Sequence, residues 1–178
     1  MKANYYLITA LFVLALPLAA ADGDKQEKLS RDVQDAIARF KKADSTIARL
    51  FETAAGYVVF PNVGKGGFVL GGAHGNGQAF EKGKLIGSAS LTQVTVGAQV
   101  GGQEFAEVIF FEDEPALRRF KDSRIEMSAQ VSAVAAAEGA SANAKYVDGV
   151  MVFTLAKSGL MAEASVGGQK LKFKPLSR

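Results

Sequence analysis

The chain reads as α+β, with a bent or closed, barrel-like antiparallel sheet and about three helices packed outside it. Three observations predict this. Apolar residues recur at helical spacing from Leu29 to Phe51, the period changes to two from Tyr57 onward, and most of the 19 glycines punctuate the strand-like part. Helices first, then many short strands with one helix among them, is the order of an α+β domain rather than of an alternating parallel sheet.

At 178 residues, 22% charged and 48% hydrophobic, the composition suits one compact globular domain. Residues 1–21 stand apart from it. Lys2 is their only charge, Leu7–Leu16 forms a short apolar core, and Ala19-Ala20-Ala21 supplies a small-residue cleavage pattern. They predict a secretory signal peptide cut near Ala21, before Asp22, and hence a periplasmic or secreted protein. As an uncleaved anchor, the apolar core is short for a span. With no cysteine, an acylated-Cys tether, disulfides, thiolate metal sites and Cys nucleophiles are excluded. Without Lys2, 20 basic residues stand against 18 acidic ones. That weak excess argues against a nucleic-acid partner, which needs a strong basic stripe, but allows a locally basic surface.

Residues 22–55 form an amphipathic helical segment. Asp24 and Glu27 have the spacing of a capping box, and Leu29, Val33, Ala36, Ile37, Phe40, Ile47, Leu50 and Phe51 share one face. Asp44-Ser45-Thr46 offers a second cap, so a kink or two consecutive helices ending near Gly56 are expected. The opposite face carries Lys28, Arg31, Arg39, Lys42 and Arg49, with Asp35 four residues from both Arg31 and Arg39. Such a segment can lie on an anionic membrane or pack its apolar stripe on its own domain, the second being commoner.

Residues 56–178 form the β-rich core. Gly56–Gly77 holds eight of the 19 glycines, a density that marks backbone needing unusual conformations or close approach. Tyr57–Phe60 and Phe68–Leu70 read as strands joined by a turn at Pro61-Asn62, with Lys65 in a Gly64–Gly67 loop. Lys82-Gly83 makes a tight turn between Ala79–Glu81 and Leu85–Ser90. Leu91–Val100 alternates, with Thr92, Val94, Val96, Ala98 and Val100 as the more apolar face. Glu104–Phe111 is apolar on both faces and therefore central. Asp113-Glu114-Pro115 opens a short helix with Ala116, Leu117 and Phe120 inward. Ile125–Glu138 leans to strand, Val150–Ala156 and Leu160–Val166 read as a hairpin through Lys157-Ser158-Gly159, and Lys170–Lys174 closes the chain as a strand.

The residues that carry chemistry are few. Gly64-Lys65 is followed by Gly66, so no hydroxyl stands where a P-loop places one, and the G-x-G-x-x-G pattern is missing as well. The context is strand–turn–strand where both motifs need strand-to-helix. His74, the only histidine, cannot build a usual zinc site without cysteine. It reads as an exposed loop residue or as a contact to a headgroup. Glu104, Glu107, Glu112, Asp113 and Glu114 are close in sequence, but the last three sit at a helix start, where acidic residues are expected. The chain thus offers no catalytic residue, no metal ligand set and no cofactor motif. Lys65, Lys82 and Lys84 fall in predicted loops; if those loops meet at one end of the sheet, they form a small basic rim suited to phosphate headgroups. Lys170, Lys172 and Lys174 share a strand face, as an edge strand guarded by lysines would.

Taken together, Gly56–Gly77 (GYVVFPNVGKGGFVLGGAHGNG), Leu85–Gly102 (LIGSASLTQVTVGAQVGG), Glu107–Phe120 (EVIFFEDEPALRRF) and Gly149–Gly168 (GVMVFTLAKSGLMAEASVGG) resemble the SYLF domain family, also called the Ysc84-type actin-binding domain. The resemblance implies a barrel-like core with helices outside and a lipid-binding, non-enzymatic function. Eukaryotic members bind phosphoinositides, helped by an N-terminal amphipathic helix, and some bind actin filaments. In an exported chain the ligand expected is an anionic phospholipid, met by Lys65, Lys82, Lys84 and His74 and by the basic helix face. The alternative is an envelope protein-interaction or structural module. A small-ligand carrier or enzyme with a pocket in the barrel, and an integral outer-membrane barrel, are further readings. The helices and the non-polar strand EVIFF argue against the last of these.

Overall fold

The computed structural model describes residues 18–66, 70–96, 103–123, 126–127, 134–135, 144–156 and 168–176. Helix α1 runs over Leu18–Ala43 and α2 over Ser45–Thr53. Asp44 breaks them: its backbone is extended and its Oδ1 accepts from Thr46 N at 2.7 Å, capping α2 as the sequence suggests. Asp24 and Glu27 do not start a helix. Residues before them continue α1, and Glu27 pairs with Arg31 one turn on, at 2.5 Å.

Eight strands follow with one helix among them: β1 Gly56–Gly66, β2 Leu70–Glu81, β3 Lys84–Val96, β4 Gln103–Phe111, then α3 Glu114–Lys121, β5 Glu126–Met127, β6 Val134–Ala135, β7 Val150–Ala156 and β8 Gln169–Pro175. They form one sheet in the order β5-β8-β3-β2-β1-β4-β7-β6. Every ladder is antiparallel except β6–β7. The α+β class is borne out, and β4 is central as expected, flanked by β1 and β7. Of the two sheet forms expected, the bent one is found: among the described residues no ladder joins the two edges, so the barrel does not close. The edge strands pair over two residues each, too few for a seam.

The sheet is nonetheless strongly curled. Glu107 on β4 and Gln169 on β8 hydrogen-bond at 3.1 Å although their strands lie four ladder steps apart. In a flat sheet that separation is about 19 Å. The concave interior is filled by Val58, Phe60, Leu91, Ile109, Phe111, Val152 and Leu171, together with α3. Phe120 of α3 bridges the curl, its ring 4.9 Å from Phe111 on β4 and 5.3 Å from Phe173 on β8. Asp113 caps that helix through Ala116 N at 2.8 Å, and Pro115 occupies its first turn, where no donor is needed.

The convex side packs a second core against α1 and α2. Val33, Ala36, Phe40, Ile47 and Phe51 cover Tyr57, Val59, Phe80, Val108, Phe110, Met151 and Phe153. Phe51 meets both Tyr57 and Phe110 edge-on with centroids 4.9 Å apart. The apolar stripe of the first segment is therefore docked on its own domain.

Three strand readings need correction. Pro61-Asn62 is not a turn: β1 continues through it, and Phe60 and Pro61 together oppose Gly77 in a bulge. Proline lacks the N–H a ladder needs, and a bulge releases that bond. Lys65 accordingly lies in β1, and His74 lies in β2, neither in a loop. In β3, which joins the two segments expected as Leu85–Ser90 and Leu91–Val100, the buried face carries Leu91 and Gln93 while Thr92 is exposed, the reverse of the expected facing. The Lys82-Gly83 turn is confirmed, with φ of 49° and 76°, the left-handed pair of a type I′ hairpin. Phe68, Leu160–Val166 and most of Ile125–Glu138 lie outside the described residues.

Candidate functional site

The basic residues expected to act together are distributed by the fold over several regions. Lys82 and Lys84 are exposed at the β2–β3 hairpin tip. Lys65 pairs with Ala73 and Gln103, whereas the tip residue Glu81 pairs with Gly56. Nine residues of β1 thus separate Lys65 from the tip end, about 30 Å of strand. The basic rim made by all three lysines does not form, because what read as a loop around Lys65 is strand. His74 is exposed, opposite Gly64 and Thr92 on the neighbouring strands, also away from the tip.

The basic face of the helices is partly neutralised. Lys28 pairs with Asp32 at 3.3 Å and Arg31 with Glu27. Arg39 is half-buried and donates to the Ala156 carbonyl at 3.1 Å, tying α1 to the end of β7 rather than pairing with Asp35. Lys42 and Arg49 are exposed.

A larger basic surface arises elsewhere. In β8 the side chains alternate, with Gln169 and Leu171 buried and Phe173 half-buried, while Lys170, Lys172 and Lys174 are exposed. These lysines sit directly opposite Thr92, Ser90 and Ser88 of β3. Among the described residues, no carboxylate is within ion-pair distance of Lys172 or Lys174. Lys84, beyond a register shift in β3, stands opposite Glu81 at the hairpin tip and is not part of this row. Two large apolar side chains lie exposed beside it: Leu85, 37% exposed, and Leu176, 54% exposed, held near each other by Leu176 N donating to the Ile86 carbonyl at 3.1 Å. With Lys174, Pro175 and residues Gln26, Glu27 and Ser30 of α1, they line a groove of about 510 Å³. On the far side of α1, Lys25, Lys28, Asn62, Asn76 and Ser88 line a polar cleft of about 370 Å³. The residue-level reading had the alternation of Lys170–Lys174 in hand. What it lacked was the pairing with β3, which brings Leu85 to the side of Lys174 and Leu176.

The carboxylates are dispersed too. Glu112, Asp113 and Glu114 are exposed around the start of α3, Glu104 is exposed at the start of β4, and Glu107 alone is buried. Burial pushes its carboxyl up to about 7, with the Gln169 hydrogen bond acting in the opposite direction. Among the described residues no three His, Asp or Glu side chains converge on a metal position. No described helix is long and apolar enough to cross a membrane.

Residues 92–175, from the second half of β3 to β8, match the family model described as the Las17-binding protein actin regulator, Ysc84. Over that span the chain is similar to the Ysc84 family. The SYLF resemblance is therefore borne out. Beta cell expansion factor A of Aeromonas veronii is 29% identical over 172 residues, covering 86% of this chain and 63% of that protein. The chain thus spans less than two thirds of that relative's length. The matched segment contains Glu107, α3 and all three lysines of β8, while Lys65, His74, Lys82 and Lys84 precede it.

Proposed function

We propose that this protein is an exported, non-enzymatic domain that binds anionic phospholipid surfaces weakly, through the lysine row of β8 and the β2–β3 hairpin. The observation that carries the reading is the juxtaposition of exposed Lys172 and Lys174 with exposed Leu85 and Leu176. Apolar side chains beside cations suit an interface where the chains enter the acyl boundary and the ammonium groups meet phosphates. The docked stripe of α1 and α2 leaves the helices a lesser part: they contribute exposed Lys25, Lys42 and Arg49 rather than an inserted apolar face.

Each lysine near an anionic surface contributes about 1 kcal/mol at physiological ionic strength. Replacing Lys170, Lys172 and Lys174 by Ser should therefore weaken co-sedimentation with phosphatidylglycerol vesicles by up to about a hundredfold, without lowering the melting temperature. High salt should mimic the triple variant. Equal binding to phosphatidylcholine vesicles, or a triple variant that binds like wild type, refutes the electrostatic reading. Export is tested by recovering a periplasmic or secreted chain whose mass begins at Asp22.

The family description, a Las17-binding actin regulator, favours a second reading in which the same surface meets a protein. Capture of an acidic protein partner that survives high salt and detergent would support it over the lipid reading.

A further inference from the structure

The concave interior contains a polar group that no surface-binding role uses. Glu107 is 0% exposed and Gln169 1% exposed, and Gln169 Nε2 donates to Glu107 Oε2 at 3.1 Å across the curl. Thr154 lies opposite Glu107 on β7, and Gln93 lies opposite Gln169 on β3, both buried. Glu107 Oε1 and Gln169 Oε1 are also buried, and among the described residues neither has a hydrogen-bond partner. Two acceptors without a donor are what a buried carboxylate beside an amide leaves behind. One proton removes both deficits. Placed on Glu107 Oε1, it is the donor that Gln169 Oε1 lacks, and acid and amide then present a complementary donor and acceptor to each other.

We infer that Glu107 folds in as a neutral acid, and that its pairing with Gln169 is a proton-operated clasp holding β4 to β8 across the curled sheet. Apart from the Gln169 amide, the described surroundings give an ionised carboxyl no relief. The neighbouring interior side chains are Phe60 and Val63 on β1, Leu91 and Gln93 on β3, Phe105 and Ile109 on β4, Val152 and Thr154 on β7, and Leu171 on β8. Among these described side chains none is charged or titratable. The direction of the Glu107 shift agrees with this picture, since desolvation raises it toward neutrality. Phe120 bridges β4 and β8 near α3 through Phe111 and Phe173, whereas Glu107 and Gln169 precede those partners by four residues in each strand. Ionisation therefore loosens the part of the curl farther from α3, and acidification tightens it.

The test is amide hydrogen exchange on the full chain at pH 5 and pH 8, corrected for the intrinsic rate, together with a ¹³C titration of the Glu107 carboxyl. In wild type, protection of the β4 and β8 amides should fall on the order of a hundredfold between the two pH values. In Glu107→Gln the side-chain amide supplies the same donor without ionising, so protection should stay flat. Lys65→Gln should leave the carboxyl midpoint where it is. Wild-type protection that does not change with pH, a Glu107→Gln variant that follows wild type, or a midpoint that moves in Lys65→Gln would each overturn the clasp. Should the Gln variant fail to fold, the wild-type titration decides alone: a midpoint in the ordinary carboxylate range refutes the proposal.

Discussion

Replacing Gly77 by Ala tests why the strands of this protein are so rich in glycine. Gly77 is the single β2 residue facing the two-residue bulge at Phe60-Pro61 on β1. A Cβ placed there would lie 2.3 Å from the Val59 carbonyl oxygen and 2.7 Å from the Phe60 ring. The first obstacle is backbone, so it cannot turn aside as a side chain can; relief requires the bulge to shift. Overpacking of this kind costs about 1–3 kcal/mol or more, offset by about 0.4–1 kcal/mol from the lower entropy of the unfolded Ala chain. A net loss of about 0.5–2.5 kcal/mol corresponds to a melting temperature lower by about 1–10 °C for a chain of this size. Gly64→Ala is the matched control. Its Cβ would meet no atom within 4 Å, and its φ is not in the positive range, so it should be neutral or stabilising by about 0.5 kcal/mol. Urea denaturation of both variants is the assay. If Gly77→Ala lies within about 0.5 kcal/mol of wild type, close approach at the bulge does not explain the glycine.

Asp44→Ala should lower stability by about 1 kcal/mol and fray the start of α2, seen as lost helical circular dichroism, because Thr46 N loses its capping acceptor. Phe110→Ala should cost about 3–5 kcal/mol in urea melts, since that ring fills the space between Phe51, Tyr57 and Phe153. The pH dependence follows from Glu107. Its folded carboxyl is raised from 4.5 to about 7, so between those values the native state holds more protons than the unfolded one. Stability should therefore fall as pH rises through that window, by about 3 kcal/mol, and level off above it. Urea midpoints at pH 5 and pH 8 should differ in wild type and converge in Glu107→Gln; equal wild-type midpoints contradict the shift.

Much of the architecture was legible because local periodicity and burial agree. The stripe from Leu29 to Phe51, the paired faces of EFAEVIFF, the Asp113-Glu114-Pro115 start of α3 and the Lys82-Gly83 turn all follow from one-dimensional spacing and backbone preference, and all four are found. Pro61-Asn62 misled because a proline that ends one ladder bond is compatible with either a turn or a bulge, and only the partners of β1 on both sides decide which. The facing of β3 was equally ambiguous, since Gln93 is buried by a fold that supplies polar neighbours inside. The candidate site divides in the same way. That Lys170, Lys172 and Lys174 share a face is a property of the sequence. That Leu85 and Leu176 join them, that Lys65 lies about 30 Å of strand away from the tip, and that Glu107 meets Gln169 across the interior are consequences of register and curl. The sequence determined which residues could be strand, helix or turn, because those preferences act between near neighbours. Which cations stand together, and which carboxylate is buried, depended on pairing between distant strands, and only the tertiary structure decides that.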